Sequence, residues 1–128
     1  MKLLLDTHAF LWMSLDSPQL SQRGRELIAD TDNELALSPA SYWEIAIKIR
    51  LGNYELDEPL DEFVNREIER NALTVVPIAP EHAAVLTRLP FHHRDPFDRM
   101  LIAQALVEQV SVLSKDVVFD HYGVPRFW

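Results

Sequence analysis

Short apolar runs alternate with amphipathic stretches along this chain, and that alternation leaves few folds open. Lys2–Leu5 is an apolar run that stops at Asp6 and reads as a buried strand. Glu34–Ser38, Thr74–Ile78 and Val110–Ser114 read as further strands. Between them lie helical patterns: Thr7–Leu15, ended by Asp16-Ser17-Pro18, then Ser21–Asp30, Leu60–Asn71 and Pro80–Leu89. The best-marked helix follows Ser38, an N-cap, with Pro39 at its first position and Gly52 after its last turn. Asp95-Pro96 opens a long helix running to about Glu108. The tail through Tyr122-Gly123-Val124-Pro125 carries no clear pattern. Strands separated by helices require right-handed crossovers, so the expected fold is α/β, with a mainly parallel sheet covered on both faces. Sites in such folds form just beyond the carboxyl ends of the strands.

At 128 residues the chain has the size of one domain, and 48% hydrophobic with 25% charged residues is an ordinary globular balance. Cysteine is absent, which excludes disulfides, thiol catalysis and cysteine-based zinc sites. The first apolar run is far shorter than a signal-peptide core, and no uncharged stretch approaches the roughly 18 residues of a membrane helix. A soluble, cytoplasmic protein is the expectation. A net charge of −8 argues against holding nucleic acid by bulk electrostatics.

The acids matter more by place than by number. Asp6 ends the first strand, and Asp116 follows the last clear strand through Ser114-Lys115, so both belong at one edge of the sheet. Glu44 lies about two turns into the helix after the second strand, and Asp95 and Asp98 open the helix that leads to the last. Each also has a structural explanation. Asp95 can cap its helix with Asp98 as capping-box partner, Asp116 can serve a turn, and Glu44 can pair with Lys48 one turn on. Asp6 ends a buried strand with no cationic neighbour in sequence. Carboxylates crowded together repel, and most would protonate unless a cation joined them. A cluster of oxygen donors favours a hard ion, Mg²⁺ or Mn²⁺.

These residues also carry a resemblance. Leu-Leu-Leu-Asp6-Thr7-His8, Ser41-Tyr42-Trp43-Glu44-Ile45, the run Asp95-Pro96-Phe97-Asp98-Arg99-Met100-Leu101-Ile102-Ala103-Gln104-Ala105, Leu113-Ser114-Lys115-Asp116 and the closing Tyr122–Trp128 together resemble the PIN-domain family, most closely its VapC-like toxin ribonucleases. The resemblance runs in order through nearly the whole chain, residues 1–128, as a single PIN domain. It implies a three-layer α/β/α fold and four acids, Asp6, Glu44, Asp98 and Asp116, around one or two Mg²⁺ or Mn²⁺ ions. Asp95, Thr7 and Ser114 are candidate supports of that site. The implied reaction is hydrolysis of RNA phosphodiesters by metal-activated water, leaving a 5′-phosphate and a 3′-hydroxyl. The implied biology is the toxin of a toxin–antitoxin pair. A basic antitoxin segment is expected to put an Arg or Lys among the acids and to anchor apolar side chains near Phe10–Trp12. The other expected partners are RNA and a second copy of the chain in a homodimer, with no membrane.

Other readings fit less well. A phosphotransfer receiver wants paired acids after the first strand and an acceptor Asp after a central one; Asp6 stands alone and Thr74–Ile78 is followed by none. A haloacid-dehalogenase-type phosphatase wants Asp where His8 stands. His93-Arg94-Asp95 spells a kinase tripeptide without the glycine-rich loop or the length of a kinase. His8 and His82 carry no metal-ligand pattern, and His92-His93, adjacent in a loop, is not expected to aim both rings at one ion. An inactive PIN module that only binds a protein or RNA is the alternative to an enzyme.

Overall fold

The computed structural model describes all 128 residues, Met1–Trp128. Five strands, β1 (Lys2–Leu5), β2 (Glu34–Leu37), β3 (Thr74–Val75), β4 (Ser111–Leu113) and β5 (Arg126–Phe127), form one sheet in the order β3-β2-β1-β4-β5. All four pairings are parallel, so the sheet is wholly rather than mainly parallel. The helices are α1 (Thr7–Ser14), α2 (Gln22–Ala29), α3 (Pro39–Arg50), α4 (Leu60–Arg70), α5 (Pro80–Leu86) and α6 (Pro96–Glu108), with a 3-10 helix at Val117–Tyr122.

Alternation along β1 divides the core. Leu3 and Leu5 face a cluster with Phe10, Leu27, Phe63 and Val64, from α1, α2 and α4. Leu4 points the other way, to Leu101, Ile102 and Ala105 of α6 and Phe119 of the 3-10 helix. Leu3, Leu4 and Leu5 are all fully buried, which is why the strand is a continuous apolar run. Helix α3 spans the two layers: its Ala40 joins the second cluster and its Ile45 the first.

The chain moves outward from β1 through β2 to β3, then crosses to the other side of β1 for β4 and β5. The winding direction therefore reverses between β1 and β4, and loops leaving these two strands diverge. Asp6 leaves β1 there, its amide donating to the Leu113 carbonyl at 3.2 Å, and Ser114 leaves β4 beside it.

The helix expected over Pro80–Leu89 stops at Leu86, and two further elements differ from expectation. The third strand keeps only Thr74–Val75 of Thr74–Ile78. The Val76 amide adds one more bond to Leu37, but Pro77 has no N–H, and the buried Gln104 amide takes the Val76 carbonyl at 3.0 Å. The tail, without pattern in the sequence, forms the 3-10 helix and β5, separated by Gly123 at φ +72°.

The signals around α3 hold: Ser38 Oγ accepts from the Ala40 amide at 3.1 Å, and Gly52 takes φ +78° after the last turn. Ser38→Ala should lower stability by about 1 kcal/mol, and Ser38→Gly by only a few tenths, read by denaturant unfolding. Equal losses would show that Ser38 contributes through packing rather than as a cap.

Candidate metal centre

Four helix starts converge on the edge where β1 and β4 diverge, and three of them begin with an acid. Asp6 caps α1: its Oδ1 accepts from the Ala9 amide at 2.7 Å. Asp95 caps α6, accepting from the Phe97 amide at 2.8 Å and the Asp98 amide at 3.2 Å. Asp116 caps the 3-10 helix through the Val118 amide at 3.0 Å. Peptide dipoles at helix N-termini favour negative charge, so each acid has a local reason to stay ionised.

Hydroxyls tie the acids to one another. Ser114, fully buried, donates from Oγ to Asp6 Oδ2 and accepts from the Asp116 amide at 3.0 Å. Thr7 Oγ1 lies 2.6 Å from Glu44 Oε1 and 3.2 Å from Ser41 Oγ. Both hydroxyl supports named from the sequence therefore touch the acids. Glu44 does pair with Lys48, at 3.0 Å, but its side chain is only 8% exposed; it is an inward-facing residue, not a surface one.

Asp98 departs from the capping box that its spacing allows. The Asp95 amide is taken instead by His93 Nδ1 at 3.3 Å, and the Asp98 carboxylate turns to His93 Nε2 at 2.8 Å. The same nitrogen stands 3.6 Å from Asp116 Oδ2. One ligand atom from each of His93, Asp98 and Asp116 lies within 4.8 Å of the others. Asp6 joins them through Ser114, which also meets the Asp116 amide, while Glu44 is held by Thr7, the residue after Asp6 in the chain.

The electrostatics agree with this convergence. Burial pushes the Asp98 carboxyl up to about 7, helped by the charges of Asp95, Asp6 and Glu44 and opposed by His93. Burial also raises Asp6; the Ser114 and Ala9 bonds and the His8 charge work against it, while Asp116 adds to it. Charge from all five acids thus meets in one place.

Sequence reasoning set the two adjacent histidines aside as a pair, and the pair does split: His92 packs against His121 and Tyr122 while His93 alone turns to the acids. His8 packs on Trp12, and the buried His82 bonds Glu108. Lys48 was expected only as a partner of Glu44, which it is, and Ser41, Arg99 and Tyr122 had no role assigned and no legible spacing.

A divalent cation fits this donor set. The oxygens are hard, they come from separate elements, and the neighbouring negative charge that adds to the effect of burial on Asp98 is charge an ion would neutralise. Metal-free protein carries the corresponding cost. Because the folded-state value of Asp98 is raised from 3.8, folding favours its protonated form; the penalty begins as pH rises past 3.8 and is complete above about 7. Asp98→Asn should therefore melt higher than the parent in chelator at about pH 8, and the gain should shrink to near zero by about pH 4. The same gain at both pH values would show that the carboxylate charge is not its source.

The chain matches the family model "PIN domain" over residues 3–125. No curated protein is a significant match to the sequence. Among solved structures, the VapBC2 complex of Rickettsia felis bound to a DNA fragment from its promoter aligns with TM-score 0.73 at 14% identity, covering 99% of this chain and 98% of that one. FitAcB from Neisseria gonorrhoeae aligns at 0.67 and 18% identity over 100% and 97%. VapBC-1 from nontypeable Haemophilus influenzae aligns at 0.64 and 14% over 99% and 97%. Identities this low speak for the fold, and the family model speaks for descent; residues 3–125 make this chain a member of the PIN domain family.

Proposed function

We propose that the protein is a divalent-metal-dependent endoribonuclease and the toxin of a toxin–antitoxin pair. The observation that carries the nuclease half is the gathering of Asp6, Glu44, Asp98 and Asp116 at the divergence of β1 and β4, with Asp98 lifted to about 7 by burial and then by its acidic neighbours. PIN-family membership supports the same reading. Asp6 and Asp98 would hold an Mg²⁺ or Mn²⁺ ion, with Glu44 and Asp116 completing the set directly or through water. When bound, such an ion activates water and neutralises charge on a phosphodiester. The chain's own part is to hold the carboxylates in place: Ser114 fixes Asp6 relative to Asp116, and Thr7 fixes Glu44. Asp95 shapes α6 as its cap and adds charge beside Asp98.

The toxin half is supported by the likeness to VapBC and FitAB complexes. A groove of about 380 Å³, lined by His8, Leu11, Trp12, Leu15, Lys48 and Tyr54, opens beside Glu44 through Lys48. It suits the apolar anchors of a basic antitoxin segment whose Arg or Lys reaches the acids. Of the stretch expected to form it, Trp12 and Leu11 contribute, whereas Phe10 is fully buried in the core.

The test is cleavage of total RNA with Mn²⁺. Asp6→Asn and Asp98→Asn should lose roughly 100-fold or more, as the removal of several kcal/mol of charge stabilisation implies. Asp95→Asn, which keeps a capping oxygen, should retain much of the activity. No cleavage by the parent protein would favour a catalytically silent binding module; equal losses at positions 95 and 98 would make both acids part of the site. Mn²⁺ added to a complex with the antitoxin segment should weaken it more than Na⁺ at equal ionic strength. Equal effects would place the segment away from the carboxylates.

A further inference from the structure

Resting on that reading, we propose that His93 is a positioning residue of the metal centre, donating from Nε2–H to the outer oxygen of Asp98 so that the other oxygen is presented to the ion. The tautomer follows from the hydrogen bonds. Nδ1 accepts from the Asp95 amide at 3.3 Å, so the ring proton sits on Nε2, 2.8 Å from Asp98 Oδ2. A nitrogen that carries a proton orients a ligand and is not one itself.

The segment bearing the imidazole is held by Tyr122 and Arg99. Tyr122 Oη accepts from the His93 amide at 2.8 Å. Arg99, 7% exposed and one residue beyond Asp98, donates to the carbonyls of Leu89 at 3.0 Å and Pro90 at 2.7 Å, and its guanidinium lies 4.2 Å from the Phe91 ring centre. A buried arginine pointing away from a cluster of acids needs a reason. Here its donors fix the segment that carries His93, so α6 supplies both Asp98 and the anchor of the residue that aims it.

Mn²⁺ affinity of the full chain, by calorimetry and by electron paramagnetic resonance, tests this without recourse to activity. His93→Ala should weaken Mn²⁺ binding roughly 10- to 100-fold. His93→Gln, whose amide N–H reaches a similar place, should stay within about threefold of the parent, since the donor is what matters. Unchanged or tighter binding by His93→Ala would overturn the proposal, because an imidazole that only fills the ion's place leaves it freer when removed. Equal weakening in both variants, or direct Mn²⁺ coupling to a histidine nitrogen, would also overturn it by making the ring a ligand or a packing element. Asp6→Asn and Asp98→Asn serve as controls: if they bind Mn²⁺ like the parent, the metal-centre reading itself fails, whereas their loss beside an unaffected His93→Ala sinks only the role of His93.

Discussion

Carboxylates crowded at the edge of an apolar sheet repel each other, and water there is too sparse to screen them fully. Nearly every local device at this rim answers that repulsion. Asp6, Asp95 and Asp116 each begin a helix and so meet its partial positive end. Ser114 and Thr7 bring hydroxyls, Lys48 an ammonium and His93 an N–H. These arrangements stop short of neutrality: burial and neighbouring charge still lift Asp98 to about 7. The remaining imbalance is negative charge that none of these local devices offsets.

The fold supplies the crowding without strain. Parallel strands place their carboxyl ends on one side, and reversal of winding between β1 and β4 opens a gap between the loops that leave them. Helix α3 spans both core clusters, which carries Glu44 to the same edge from a third element. The acids are set by the most buried parts of the molecule, since Leu3, Leu4, Leu5 and Leu113 have no exposed surface. Side chains mounted on such strands move little, as a charge cluster requires.

Much of this could be read from the residues. The buried run at Lys2–Leu5, the cap and stop around α3 and the Asp95-Pro96 start of α6 act over a few positions, so they survive without knowledge of the rest. β3 and β5 were less visible because each has two residues and depends on its neighbour for definition. The placement of Asp6, Asp98 and Asp116 at one rim was legible because strand ends and helix starts are local. His93 was not: its importance lies in a ring turned toward Asp98 and Asp116, fixed by Tyr122 from the far end of the chain and by Arg99 from α6. Nothing within a few residues of His93 announces those partners. Glu44 shows a subtler limit, since the pairing with Lys48 is real while the surface position it implied is not.

The bond from Ser114 to Asp6 joins residues 108 positions apart. β4 must slide in beside β1 before that bond exists, and β4 is itself covered on its outer edge by β5. Contacts separated so widely along a chain form late, because a large loop has to close first. On the ribosome, a nascent polypeptide that has emerged only as far as α6 holds Asp6, Glu44 and Asp98 but neither the serine that orients the first nor the fourth acid. Assembly of the rim is thereby coupled to the synthesis of Ser114 and Asp116, and a fragment released before them is left without the Ser114 bridge and the Asp116 carboxylate.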